Sequence, residues 1–480
     1  MEKRLTSSPP YDIIAVHTLY QRIDRYDHFC KIKKGSFVLR EAMVKNMKLS
    51  VDYAVPIGKI KPMNAVNNGP VYTKNSDQNS GNLPEYTAAN IPFARTHDAA
   101  FFSKYGGEHT VDIHAVFPNF DADPNSPDSY DFQLTDEYLE TIMAAGTQVF
   151  YRLGSKIEHN SKKYGILPPK DFQKWAVICE HIIAHINEGW ANGHHMGVVY
   201  WEIWNEPDLY GKCWLGTPEQ FYELYAVTAK HLKARFPHLK IGGPAVTGYN
   251  EGWLRPFFAR IRDEHLPFDF YSWHCYANTV EALCRNVQLH RALLDEYGFS
   301  DTESILNEWN YVCGWGGDDW IRSIETMVGL KGAAFIAAVM ASCQGEPVDM
   351  LMYYDARPCG MNGLFSMYTY KTLKGYHTIQ TWGEMLKMGT SCKVACDIPN
   401  LYAAAAKSDS GDEITMISYY SDKDDALPKT FTVTLDHAKT EEHTLYLLDD
   451  VHDMTAVETI YSDNGSFQLT MKANTVAVIR

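Results

Sequence analysis

Two segments carry residues whose types and spacing suit acid–base and nucleophilic chemistry. The first is Val198-Val199-Tyr200-Trp201-Glu202-Ile203-Trp204-Asn205-Glu206-Pro207-Asp208, a β-type run that meets a proline. Proline cannot donate to a strand ladder, so the strand stops there and leaves Asn205 and Glu206 at its C-terminal end. The second is Ser304-Ile305-Leu306-Asn307-Glu308-Trp309-Asn310, an apolar strand that also closes on a carboxylate. A carboxylic acid beside Trp204 can be kept protonated by desolvation and act as a general acid, while a second carboxylate stays ionised. Two carboxyl groups about 5–5.5 Å apart permit double displacement with retention; about 6.5–9.5 Å leaves room for a water and gives inversion. Either segment alone is weak, because Asn-Glu-Pro is common and a strand-end glutamate often does no more than pair with an arginine. Strict alternation also sends Asn205 and Glu206 to opposite faces. Both serve one site only if the strand end bends or bulges, and that is expected.

The elements that would position these residues alternate β-type and helix-type runs, the pattern of a parallel sheet. Eight strands are predicted near 58–64, 92–97, 148–153, 198–204, 240–244, 268–273, 304–309 and 348–354. Helices are predicted over 171–191, 217–235, 281–297 and 321–342; the second opens with Thr217, Pro218 and Gln220, a capping-box pattern with proline at N1. Eight strands with helical crossovers close into a (β/α)8 barrel, whose active-site face lies at the C-terminal strand ends. On this count Glu206 ends strand four and Glu308 ends strand seven, so both belong to one barrel mouth. From about Gly389 short alternating runs separated by turns read as an antiparallel β-sandwich. The expected α/β organisation is therefore residues 1–54 as strands joining the sandwich (12–18, 36–39 and 48–53), 55–388 as the barrel, and 389–480 as the sandwich domain.

Other strand ends bring polar groups to the same mouth. Strand two gives Arg95, His97 and Asp98; strand three Arg152; strand six His274 and Tyr276; strand eight Tyr353, Asp355 and Arg357. Arg95 is the candidate to hold a nucleophilic carboxylate ionised through a charge-assisted hydrogen bond. Tyr276 is the candidate donor to Glu308, and Asn205 the candidate partner of a sugar 2-hydroxyl. His97, Asp98, Arg152, Asn205, His274, Tyr276, Trp309, Trp315, Tyr353 and Asp355 form the expected substrate-binding set. For each, a satisfied structural polar or packing role is the competing reading. The long segment 101–135, with Phe117, Phe120 and Tyr130 among turn residues, reads as a wall that makes a pocket and favours exo-action.

Trp201-Glu202-Ile203-Trp204-Asn205-Glu206-Pro207-Asp208, together with Asn307-Glu308-Trp309-Asn310, resembles the clan A glycoside hydrolases, most closely glycoside hydrolase family 39. Arg95-Thr96-His97 and Ser272-Trp273-His274-Cys275-Tyr276 resemble that family's second- and sixth-strand motifs. The resemblance spans roughly residues 55–385. It implies a retaining O-glycosyl hydrolase of β-xylosidase or α-L-iduronidase type, with Glu206 as acid/base and Glu308 as nucleophile. Trp273 and Cys275 depart from the expected neighbours of His274, and the run through Arg357 matches no characterised activity. A neutral pentoside is the preferred substrate on resemblance; a uronide received by Arg152 and Arg357 is the alternative.

Bulk properties exclude other classes. A net charge of −15, without a Lys/Arg cluster, argues against a nucleic-acid partner. No apolar run approaches the roughly 18–20 residues needed to span a bilayer. Aromatics make up 13% of the chain, and sugars stack on such side chains. Ten scattered cysteines and an N-terminus without an apolar core suit free thiols and a cytoplasmic location. His181 and His185 stand at i, i+4 with His194 and His195 nearby, but the glutamate of a zincin motif is missing, so they read as core or surface histidines. Asp121–Asn125 reads as a solvated turn, and Cys392 and Cys396 lack a second pair. No metal and no cofactor are expected. The expected partner is an oligosaccharide or glycoside, and homo-oligomerisation is left open. Two other classes compete: a carbohydrate-binding barrel without turnover, and a metal-dependent hydrolase that a chelator would silence.

Overall fold

The computed structural model describes residues 47–71, 81–98 and 109–480. Eight parallel strands close a barrel: β2 (Ala65–Asn67), β3 (Phe93–Thr96), β4 (Gln148–Leu153), β5 (Tyr200–Ile203), β6 (Lys240–Val246), β7 (Phe270–Ala277), β8 (Glu303–Tyr311) and β9 (Met350–Tyr353). Inside it, Ala65, Phe150, Tyr200, Phe270, Ile305, Met350 and Met352 pack into one apolar layer. Most of these stand at the start of their strands, so this layer fills the N-terminal half and the C-terminal half is left for polar groups.

The second layer system is one hydrogen-bonded sheet. It runs in the order β15 (Asp453–Tyr461), β14 (Glu442–Leu448), β17 (Thr475–Ile479), β12 (Glu413–Tyr419), β11 (Leu401–Lys407), β10 (Thr390–Cys396), β1 (Lys48–Lys59), β13 (Lys429–Asp436), β16 (Ser466–Met471). β1 pairs antiparallel with β10 and parallel with β13. The N-terminal strand expected near residues 48–53 thus lies in the middle of this sheet and runs on through Lys59, past the expected boundary at residue 54. The expected strands at 12–18 and 36–39 lie outside the described residues. Helix Leu330–Cys343 joins the two layers. It is buried almost all round, and the Ser418 hydroxyl of β12 donates to the Ala334 carbonyl at 2.7 Å.

Two expectations need correction. The first barrel strand is Ala65–Asn67, not 58–64; Gly58 and Lys59 still pair with β10 in the sheet. The helix expected over 321–342 is two, Gly317–Val328 and Leu330–Cys343, divided at Gly329, whose backbone is extended. Gly332 sits so close to the preceding helix that a Cβ would lie 2.4 Å from the Thr326 carbonyl oxygen, so the two helices pack across a bend. The Thr217–Gln220 capping box is formed reciprocally, with Pro218 at the helix start. Among the described residues no single helix is long and apolar enough to cross a membrane.

Candidate active site

Both glutamates reach the barrel mouth because their strands break alternation. After β5, Trp204 and Glu206 take positive φ values of 77° and 47°, and the Glu206 N–H donates to the Ala245 carbonyl at 2.8 Å. Such left-handed backbone is costly for non-glycine residues and persists where surrounding contacts enforce it. It turns Asn205 and Glu206 toward the same interior. On β8 the device is a bulge. Trp273 pairs with Leu306 but His274 with Glu308, so Asn307 is the extra residue. Asn307 and Glu308 consequently both bond inward.

A buried network lies above the apolar layer. The Arg95 guanidinium is fully buried and donates to four groups: Glu202 Oε2 at 2.6 Å, Glu308 Oε1 at 2.8 Å, Asn205 Oδ1 at 2.7 Å and Asn67 Oδ1 at 3.0 Å. Asn307 donates to the other Glu202 oxygen at 2.5 Å. The Tyr276 hydroxyl donates to Glu308 Oε2 at 2.8 Å. Two donors of different strands thus fix the Glu308 carboxylate.

Glu206 stands in a different environment. Burial raises its carboxyl group above the usual carboxylate range, against the lowering effect of the Cys213 thiol, whose sulfur lies 3.4 Å from Oε2. His274 Nδ1 lies 2.8 Å from Glu206 Oε1 and 3.4 Å from Glu308 Oε2. Burial pushes this imidazole down to about 4, so it is neutral and carries one proton. An oxygen of Glu206, a His274 nitrogen and an oxygen of Glu308 all lie within 4.8 Å of one another.

These groups open on a cavity of about 620 Å³ lined by His97, Glu206, Tyr276, Glu308, Trp315 and Tyr354, among others. His97 Nε2 lies 3.5 Å from Glu308 Oε1, and its Nδ1 lies 3.1 Å from Asp98. Burial alone would raise Asp98, but His97, Arg357 and Lys156 outweigh it and hold the carboxyl well below the usual range. Asn205 is buried with its oxygen taken by Arg95; its amide nitrogen has a long contact, 3.9 Å, to Cys213 Sγ. Trp315 is 62% exposed, stacks on Trp320 and meets Tyr276 edge-on.

The sequence-predicted set is only partly brought together here. Arg152 is fully buried, and one guanidinium nitrogen donates to Asp112 at 2.6 Å and to the His97 carbonyl at 2.8 Å; it does not line the cavity. Trp309 and Tyr353 point away and pack on each other at 5.4 Å. Alternation explains this, since each directly neighbours a residue that faces in, Glu308 or Tyr354. Asp355 is buried, paired with Arg357 at 3.4 Å and raised by burial to about 6. The expected wall is also misplaced: Phe117 and Phe120 line a separate cavity of about 450 Å³ behind Trp204, and Tyr130 packs against Phe132 and Trp190. Residues 101–108 of that segment lie outside the described ones.

Sequence reasoning missed Thr247, Lys212, His159 and Trp320 in the cavity wall and Asn67 in the network, and it left Tyr354 and Glu202 outside the expected site set. A signal existed for Glu202: it is a charged residue inside an apolar strand, which must either pair or face a site. Thr247 is held by Asp208, the last residue of the Trp-Asn-Glu-Pro-Asp run, through its N–H and hydroxyl.

The comparisons with known proteins give the family and the fold. The sequence model described as Glycosyl hydrolases family 39 matches residues 59–310, more than half of the chain. The chain belongs to glycosyl hydrolase family 39. Its matched span takes in both glutamates, Arg95, His274 and Tyr276. Among curated relatives, this family 39 chain is 26% identical over 171 residues to a β-xylosidase of Geobacillus stearothermophilus, 34% of either protein. It is 24% identical over 241 residues to a β-xylosidase of Caldicellulosiruptor saccharolyticus, 48% of this chain and 46% of that one. The matched stretches therefore span less than half of those relatives' lengths. A crystal structure of a glucosidase from Croceicoccus marinus shares the fold with a TM-score of 0.75 at 22% identity, covering 91% of this chain and 98% of the other.

Proposed function

We propose that this family 39 chain is a retaining glycoside hydrolase that removes a terminal neutral sugar, with Glu206 as general acid/base and Glu308 as nucleophile. The observation that carries the reading is that an oxygen of Glu206 and an oxygen of Glu308 lie within 4.8 Å of each other. So close an approach suits the carboxyl separation of a retaining pair, about 5–5.5 Å, better than the roughly 6.5–9.5 Å that leaves an inverting enzyme room for its water. The two environments divide the roles. Burial keeps Glu206 protonated above the usual range, as an acid must be, while Glu308 is held by Arg95 and Tyr276. Glu206 protonates the leaving oxygen as Glu308 attacks the anomeric carbon. Glu206 then takes a proton from the water that releases the glycosyl-enzyme.

A neutral sugar is supported by the state of the arginines. Arg152 is withdrawn behind Asp112, and Arg357 is engaged by Asp98 and Asp355. A β-xyloside is the first substrate to test, since both curated relatives above are named β-xylosidases. The deciding experiment is a screen of aryl β-xyloside, β-glucoside, β-galactoside, α-arabinoside and uronides, with the first-formed anomer read by NMR. Retention is expected. Appearance of the inverted anomer would overturn the double displacement. A preference for uronides would overturn the neutral sugar.

Two further outcomes follow from Glu206. In Glu206→Gln, hydrolysis of a poorly activated glycoside falls by about 10²–10⁴-fold, the usual share of general acid catalysis. A dinitrophenyl glycoside, which needs little protonation, loses far less in its glycosylation step. Equal losses on both would remove Glu206 from the acid role. The pH profile of kcat/KM has an alkaline limb, because activity needs Glu206 protonated and is lost as pH rises through its folded value. Since burial raises that value, the limb lies above the usual carboxylate range, and Glu206→Gln abolishes it.

A further inference from the structure

A second group of ligating side chains lies on the outer helices, away from the carboxylate pair. Asp136 stands on helix Gln133–Ala144, His185 in the last turn of helix Phe172–Glu188, and His194 in the segment that leads into β5. One ligand atom from each, two imidazole nitrogens and a carboxylate oxygen, all lie within 4.8 Å of one another. His185 Nε2 is 3.0 Å from Asp136 Oδ1, and His194 Nε2 is 3.4 Å from Asp136 Oδ2.

Hydrogen-bond chemistry makes this convergence informative. His185 Nδ1 lies 2.8 Å from the Trp190 carbonyl, which can only accept, so Nδ1 carries the proton. In the neutral ring Nε2 is then a lone pair aimed at a carboxylate. Two acceptors face each other, and a cation between them resolves the conflict. Metal-ligating histidines are held in this way, with the other ring N–H given to a backbone carbonyl. A protonated His185 would satisfy Asp136 by itself, but it leaves unexplained why a second imidazole turns onto the same carboxylate.

The arrangement is built by the backbone. His194 N donates to the His185 carbonyl at 2.6 Å and Met196 N to the Ile186 carbonyl at 3.0 Å, which lays the segment over the helix end. A Cβ at Gly193 would lie 2.1 Å from the His185 carbonyl oxygen, so this close approach requires glycine. Phe132 covers the His185 ring face to face at 3.6 Å and fixes its plane.

We propose that Asp136, His185 and His194 bind a divalent transition metal, Zn²⁺ by their chemistry, as a site that ties the two helices to the approach of β5. Zinc arms of about 2.0–2.1 Å place tetrahedral ligands about 3.3 Å apart, close to the 3.2 Å and 3.4 Å that separate Asp136 Oδ2 from the two imidazole nitrogens. His185 is buried while Asp136 and His194 are about a quarter exposed, so a water completes the fourth position. His181 and His195 are not among the ligand atoms that converge here.

The test uses the full chain, stripped with a chelator and titrated with Zn²⁺ and, for its visible spectrum, Co²⁺. Wild type is expected to hold one tight equivalent, to show tetrahedral Co²⁺ bands and to melt several degrees higher with Zn²⁺. His194→Ala, a substitution at a part-exposed position, loses at least tenfold in affinity together with the bands and the shift. His185→Gln does the same if it folds. His114→Ala, in a separate His109–Asp112–His114 cluster, leaves all three readouts unchanged. Uptake by His194→Ala equal to wild type, or no tight equivalent in wild type, overturns the proposal. Glycoside turnover does not enter this test.

Discussion

A Glu308→Gln enzyme is expected to lose turnover on natural and activated glycosides alike, by about 10⁴-fold or more, as when other nucleophiles are removed. That loss corresponds to about 5 kcal/mol of transition-state stabilisation. The amide fills the same volume and its oxygen still accepts from Arg95, so the network and the fold persist. Under the proposed roles, only the attacking oxyanion is gone. An excellent leaving group does not compensate, because the missing step is bond formation to the anomeric carbon. This separates Glu308 from Glu206, whose replacement spares activated substrates. Single-turnover release of dinitrophenol is the direct measurement: wild type shows bond cleavage within one turnover and Glu308→Gln shows none. A Glu308→Gln enzyme that cleaves the aryl glycoside at the wild-type rate would return the carboxylate to a sugar-binding role and favour a barrel that binds without catalysing.

The part of this site legible in sequence is what local pattern encodes. Strands β4 to β9 lie within a few residues of their predicted positions, because each is a run of apolar, often β-branched or aromatic residues bounded by a turn. β2 was not legible: three residues, Ala65–Asn67, give no periodicity, and the apparent strand before them ends in the sheet. The need for a bend at Asn205–Glu206 followed from alternation, yet its form did not, since positive φ at Trp204 and Glu206 is enforced by the surroundings rather than by glycine. No sequence signal marks the bulge at Asn307 either, and it decides that Glu308 faces in while Trp309 faces out. Arg152 fails for another reason. Its partner Asp112 comes from a loop distant in sequence, so the ion pair that removes it from the mouth is a tertiary fact. Side-chain type says which groups can serve a site; long-range pairing decides which are free to.

Arg95→Met is expected to destabilise the protein by about 3–5 kcal/mol, the cost of stranding a buried charge once its partner is removed. Arg95 is wholly buried and lies between two carboxylates, the fully buried Glu202 at 2.6 Å and Glu308, at the cavity wall, at 2.8 Å. Methionine fills much of the volume, so the loss is electrostatic rather than a cavity. The urea midpoint of unfolding should drop accordingly, and turnover should fall with it, because Glu308 loses a donor that orients it. Stability and catalysis can then be divided. Adding Glu202→Gln to Arg95→Met removes one stranded charge, and part of the stability should return. Turnover should not, since Glu308 still lacks its guanidinium. Arg95→Lys tests the geometry instead: an ammonium supplies charge but not the planar fork that reaches Glu202, Glu308, Asn205 and Asn67 together, so it should fold better than Arg95→Met and remain slow. If the double variant recovers turnover along with stability, Arg95 matters only for holding the barrel together. If it recovers stability alone, the same guanidinium that neutralises the barrel interior also aims the nucleophile.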